Sequence, residues 1–141
     1  NTNAIKDSVV FLDIDGTIIG DSEQEVGQTT AGEVRNLAKN NRVLIISNNK
    51  NETRNKAIAK ELGVEHLSTK YNKPDKKILE DVSHLSNKAL YVIGDKFLVD
   101  GLFARNIKAK FIQVKRIKSK KESLKNNIVY LVDDILSSFM S

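Results

Sequence analysis

The sequence predicts an α/β fold, a doubly wound parallel sheet with helices on both faces. The first observation behind this is alternation: short apolar runs and amphipathic helical stretches follow one another almost without exception. Right-handed crossovers turn that pattern into a parallel sheet covered on both sides. The second is that Val9-Val10-Phe11-Leu12, Val43-Leu44-Ile45-Ile46 and Ala89-Leu90-Tyr91-Val92-Ile93 are apolar throughout rather than alternating, as strands buried on both faces are. The third is where these runs stop: at Asp13 and Asp15, at Ser47, and at Gly94-Asp95 with Asp100 just beyond. Ligands sit at the carboxyl ends of the strands in such sheets, so these side chains converge on one rim.

Each element has its own signal. Residues 18–30 hold Gly20 and Gly27 among polar residues and read as a loop or small hairpin over the acidic pair. Residues 30–40 place Val34, Leu37 and Ala38 at helical spacing, with Thr29 or Thr30 as N-cap and Glu33 in capping-box position. After the second strand, Ala57, Ile58, Ala59 and Leu62 mark a helix over 52–62 that Gly63 ends as a left-handed cap. Residues 64–67 form a short third strand. Pro74 suits the first turn of a helix whose inner stripe is Ile78, Leu79 and Val82. The fourth strand is followed by a helix over 98–105 and a strand over 109–114. A basic loop at about 115–126, an apolar run at 128–132 and a short amphipathic helix at 133–140 complete the chain.

With 141 residues, 40% of them hydrophobic and 29% charged, the chain is long enough for one sizeable core and too short for two ordinary domains. A single domain over 1–141 is expected. No apolar run approaches the roughly 18 residues of a membrane span, and the start lacks the basic-then-apolar order of a signal peptide. The absence of cysteine excludes disulfides, thiol nucleophiles and cysteine zinc sites and fits a reducing compartment; a cytoplasmic location is expected. His66 and His84 are too far apart for a histidine metal cluster.

The chemistry concentrates at Asp13-Ile14-Asp15-Gly16-Thr17. Two residues apart on a strand, Asp13 and Asp15 project from the same side. Like charges that close need a proton or a cation between them, which points to Mg²⁺ on one and a raised pKa on the other. A calcium loop is a poorer match, because its glycine and its final Glu would fall at other positions.

The chain resembles the haloacid dehalogenase (HAD) superfamily of phosphotransferases. Asp13-Ile14-Asp15-Gly16-Thr17 is similar to its first motif, Ser47 after Ile45-Ile46 to its second, Lys73-Pro74 to its third, and Gly94-Asp95 with Asp100 to its fourth, all in the family's order. The acid at Asp15 resembles the phosphatase and mutase branches. Since the intervals between motifs are filled by elements the core requires, the fold expected is a Rossmann-like, HAD-like core without a cap domain. Ile46-Ser47-Asn48-Asn49 and the stretch from Gly94 to Asp100 further resemble the capless subfamily IIIA that includes phosphatidylglycerophosphate phosphatases, although that subfamily commonly carries Asn in place of Gly16 and Gln in place of Lys96.

The resemblance implies a Mg²⁺-dependent phosphatase acting through an aspartyl-phosphate, and the residue types suit that chemistry. A phosphate monoester needs an in-line nucleophile, a cation, and donors around the transferring group. Asp13 is the expected nucleophile. Asp15 would protonate the leaving oxygen and later take a proton from water, a dual role that calls for a pKa nearer neutrality than that of a free Asp. Asp13, Asp15 through its carbonyl, and Asp95 would hold the metal, with Asp100 behind them orienting a water or Lys73. Ser47, Asn48 and Lys73 would bind phosphate, and Lys73 would bring positive charge to the transition state. Specificity would come from the 18–30 loop, from residues 48–50 and from Lys96.

Two other readings compete. A response-regulator receiver domain shares clustered aspartates, a hydroxyl, a Lys-Pro and Mg²⁺, but its lysine follows the later strands, whereas Lys73 precedes Gly94-Asp95. An inactive HAD-like scaffold that binds nucleic acid through the basic segment is opposed by the intact motif set. The partners expected are a phosphorylated substrate and, as open alternatives, a second copy of the chain or weak contact of the basic loop with an acidic membrane. Nucleic acid is not expected, although the net charge is +5.

Overall fold

The computed structural model describes residues 4–20, 25–117 and 128–130. The expected helix over 133–140 and most of the basic loop lie outside the described residues. The elements are β1 (Ser8–Leu12), α1 (Gln28–Ala38), β2 (Arg42–Ile45), α2 (Glu52–Leu62), β3 (Glu65–His66), a 3₁₀ helix (Lys76–Asp81), β4 (Ala89–Gly94), a π-helical turn (Phe97–Gly101), α3 (Leu102–Asn106), β5 (Lys110–Val114) and β6 (Ile128–Tyr130).

The sheet runs β3-β2-β1-β4-β5-β6. Its first five strands are parallel, and β6 departs from the expected all-parallel sheet by pairing antiparallel with β5. The chain reverses direction of growth at β1, with β2 on one side and β4 on the other, so the crevice for a ligand opens at the end of β1. This 3-2-1-4-5 order also differs from the 2-1-3-4-5 order of receiver-like folds. Among the described residues no segment forms a cap over that rim.

Alternate residues of the apolar runs feed two cores. Val10, Leu12, Val43 and Ile45 pack with Ala31, Val34 and Leu37 of α1 and Ile58, Ala59 and Leu62 of α2. Val9, Phe11, Leu44 and Val92 face the other way, against Ile78, Phe103, Ala104 and Ile107. Phe11 meets Phe103 edge to face at 5.7 Å, the arrangement that ring quadrupoles favour. Among the described residues, no helix is long and apolar enough to cross a membrane.

Several elements differ locally from expectation. Helix α1 begins at Gln28 with Gly27 as N-cap and no side-chain cap, because Thr30 is 1% exposed within the first turn and packs inward. Helix α2 has its predicted bounds, with Asn51 Oδ1 accepting from Arg54 N and Gly63 left-handed at φ 70°. Pro74 lies in the turn before the 3₁₀ helix rather than inside an α-helix; Asp75 caps that short helix by accepting from Lys77 N. The predicted 98–105 helix opens as a wider π turn in which Asp100 N and Gly101 N both donate to Lys96 O. Ile18 and Ile19 lie in the expected loop but are buried in the core at 1% exposure, while residues 21–24 are outside the described set.

Candidate active site

Three parallel strands end at one rim, and the turns after them carry the site. Asp13 continues the ladder by donating its N–H to Ile93 O at 3.0 Å, and Ile46 N donates to Leu12 O at 3.0 Å. The chain then wraps tightly, with Thr17 N, Ile18 N and Ile19 N all pointing at Ile14 O. Gly16 allows this at φ 80°. The result is a cavity of about 200 Å³ lined by Asp13, Asp15, Ser47, Asn48, Asn49, Lys73, Lys96, Val99 and Asp100.

Lys73 is the electrostatic centre. Its Nζ lies 2.8 Å from Asp13 Oδ1 and 2.7 Å from Asp100 Oδ1, and its side chain is 2% exposed. Burial alone pushes the ammonium down, but Asp13 and Asp100 more than offset this and its pKa is raised. The Thr17 hydroxyl lies 3.0 Å from Asp13 Oδ2 and 3.3 Å from Asp95 Oδ1 and can donate its single hydrogen to either. Two glycines make the crowding possible. A Cβ on Gly16 would collide with the Asp95 carboxylate, and one on Gly94 would collide with that of Asp100.

Asp13, Asp95 and Asp100 each place a carboxylate oxygen so that all three lie within 4.8 Å of one another. Burial first, then the nearby charge of Asp13, pushes Asp95 up to about 6. Asp100 is also raised, by burial first, with Lys73 opposing. An all-oxygen, acid-rich donor set whose negative charge is incompletely compensated fits a hard divalent cation such as Mg²⁺. Asp100 thus sits in the acidic cluster itself as well as on Lys73, nearer than the expected place behind the ligands.

Ser47 accepts from Asn49 N at 3.0 Å, which leaves its own hydrogen to donate. Asn48 departs from expectation: its Oδ1 accepts from Lys73 N at 2.8 Å and its Nδ2 donates to Lys73 O at 3.1 Å. Its side chain therefore clamps the Lys73 backbone, while the residue itself lines the cavity. Of the expected specificity residues, Lys96 lines the cavity, while Lys50 donates to Tyr71 O at 2.9 Å.

Asp15 requires the main correction. Its carboxylate lines the same cavity as Asp13, but Arg54 Nη1 and Nη2 grip both of its oxygens at 2.8 Å. That hydrogen-bonded guanidinium holds Asp15 below the usual carboxylate range, against the opposing effect of burial, so the expected upward shift is absent. Arg54 and Arg116, whose Nη1 is 3.4 Å from Asp95 Oδ2, are site residues that motif spacing missed, while Thr17 lies within the first motif but had no role assigned to it. Of the two arginines, Arg54 has a placement readable in the sequence, in the first turn of the helix that leaves the Ser47 rim.

A family model described as mitochondrial PGP phosphatase matches residues 1–128. No curated protein matches the chain. Among solved structures, an uncharacterized protein from Listeria monocytogenes serotype 4b matches with a TM-score of 0.59 at 15% identity, covering 94% of this chain and 97% of that one; this similarity supports the fold alone. The family's description overturns the cytoplasmic expectation, since it points to mitochondria rather than the cytoplasm. Lack of cysteine made a poor address: a chain without thiols is indifferent to the redox state around it. With all four motifs inside the matched segment, the chain belongs to the PGP phosphatase family and is a HAD-like phosphatase, a phosphoric monoester hydrolase.

Proposed function

We propose that the protein hydrolyses a phosphate monoester with Asp13 as nucleophile, and that the substrate is a lipid headgroup phosphate such as phosphatidylglycerophosphate. The observation that carries the first part is the Asp13 carboxylate at the cavity wall, held on one oxygen by Lys73 and on the other by Thr17. That restraint gives a carboxylate a defined direction of attack. The substrate reading is supported by the family's description and by a rim over which no described segment forms a cap.

In the first half-reaction an Asp13 oxygen bonds to phosphorus while the ester P–O bond breaks, and a proton from Asp15 goes to the departing oxygen. In the second, water attacks the aspartyl-phosphate, its proton passes to Asp15, and the phosphorus bond to Asp13 breaks to release phosphate. Lys73 and the Ser47 hydroxyl stabilise charge on the transferring oxygens. Asp13 and Asp95, with the Asp15 carbonyl, would hold Mg²⁺, and Asp100 would orient Lys73 beside them. The metal, when bound, supplies charge neutralisation at the phosphoryl group.

Phosphate release from phosphatidylglycerophosphate in mixed micelles, with Mg²⁺ or with EDTA, tests this reading. Asp13→Asn should lower turnover by about a thousandfold or more with an unchanged melting temperature. Asp15→Asn should slow both halves by roughly 10²–10⁴ and let phosphoenzyme accumulate. Full Mg²⁺-dependent activity in Asp13→Asn would sink the nucleophile assignment.

A further inference from the structure

Arg54 stands at this rim with its guanidinium held along two edges. Its guanidinium makes two parallel contacts of 2.8 Å with Asp15 and is steadied from its other edge. Nε and Nη2 donate to Asn55 Oδ1 at 3.2 and 3.1 Å. Asn55 is itself 1% exposed and tied to Asn49 O at 2.8 Å, and Asn49 lines the cavity. The fork is therefore anchored, whereas the Asp15 side chain is 36% exposed. If one partner of the pair is to be exchanged, it is the carboxylate.

A planar guanidinium presenting two parallel N–H groups binds a phosphate as readily as a carboxylate. In the reaction above, Asp15 serves the ester oxygen, so whatever the substrate carries beyond that oxygen lies toward Arg54. Lys96, which also lines the cavity and acts on Asp15 through its charge, adds to the positive field there. While both oxygens of Asp15 face N–H groups in the plane of the fork, neither can carry a proton in that plane toward a leaving group.

We propose that Arg54 sets specificity by anion exchange: it grips the Asp15 carboxylate in the free protein until a second phosphate-type anion, carried by the substrate beyond the ester oxygen, takes over the fork, and the released Asp15 takes up a proton from water and delivers it to the ester oxygen. This rests on the roles of Asp13 and Asp15 given above. A monoester lacking the second anion meets a carboxylate still held by Arg54, without a proton to give, and turns over slowly.

The test compares kcat/KM for glycerol phosphate and for glycerophosphoglycerol phosphate, soluble esters that differ by an internal phosphodiester. kcat/KM is chosen because it reports only the steps through loss of the leaving group. The wild type should prefer the two-phosphate ester by roughly tenfold or more, the equivalent of a charge-assisted hydrogen bond. In Arg54→Ala the ratio should fall near unity from both sides, glycerol phosphate gaining from an Asp15 no longer held and the two-phosphate ester losing the fork that bound its second anion. Arg54→Lys, which keeps the charge without the fork, should fall between the two and serves if the alanine variant is unstable. An undiminished preference in the variants, or an equal loss on both esters, would overturn the proposal. Wild-type protein inactive on both esters, or an active Asp13→Asn, would instead refute the hydrolytic mechanism on which it stands.

Discussion

The Lys73 ammonium lies 2.7 Å from the Asp100 carboxylate, with the two side chains 2% and 1% exposed. Removing one member of a buried pair strands the other's charge and typically costs about 3–5 kcal/mol. Lys73→Met should therefore destabilise the metal-free protein by about that amount in urea denaturation, since it strands both Asp13 and Asp100. Mg²⁺ should recover part of the loss in this variant. Asp100→Asn should cost less, because Lys73 keeps Asp13 at 2.8 Å.

Asp95 makes the stability of the metal-free protein depend on pH. Its ordinary pKa of 3.8 is raised to about 6, by burial first and then by Asp13. The folded protein retains a proton that the unfolded chain has already released, so ν_N exceeds ν_U across this window and stability falls as pH rises. The contribution is full below 3.8 and lost as pH passes about 6. His66, lowered by burial, works in the opposite sense toward the upper end, and the comparison of wild type with Asp95→Asn cancels it and reads Asp95 together with its repulsion by Asp13 and Asp100. In EDTA the denaturation midpoint of the wild type, relative to that variant, should decline from about pH 4 to about pH 6. Mg²⁺ favours the ionised carboxylate and should flatten the decline. A pH-independent difference in EDTA would contradict the placement of Asp95 in the acidic cluster.

Gly16 and Gly94 should both resist replacement by alanine. At φ 80°, Gly16 is in the left-handed region, and a methyl group there meets the Asp95 carboxylate. Gly16→Ala should lose roughly 1–3 kcal/mol of stability through backbone strain and weaken Mg²⁺ binding, read by isothermal titration. Gly94→Ala should push Asp100 off Lys73. The expected signature is a fall in kcat larger than the change in KM, because the displaced group stabilises the reacting centre rather than holding substrate.

Most of the architecture was legible because burial on two faces leaves a trace in one dimension. A strand such as Val9-Val10-Phe11-Leu12 that supplies both Val10 to one core and Phe11 to the other must be apolar at every position, and its abrupt end in Asp13 marks the rim. Gly63 could end α2 as predicted because a left-handed cap is a local matter. The start of α1 could not be read in the same way. Thr30 is drawn into the core, and that competition between capping and packing is settled only when the sheet is present.

What the amino-acid sequence by itself determined is the kind of fold, the four groups that meet at the rim, and the chemistry they suit. The tertiary structure alone decided who holds whom. Asp15 is low rather than high because Arg54 reaches it from α2, the Asn48 side chain clamps the Lys73 backbone, and Asp100 enters the acidic cluster through the π turn and the space left by Gly94. Residue types and spacing report which groups can approach a rim. The pKa and partner of each group depend on distances of a few ångströms between elements far apart in the chain, and no pattern along the chain encodes them.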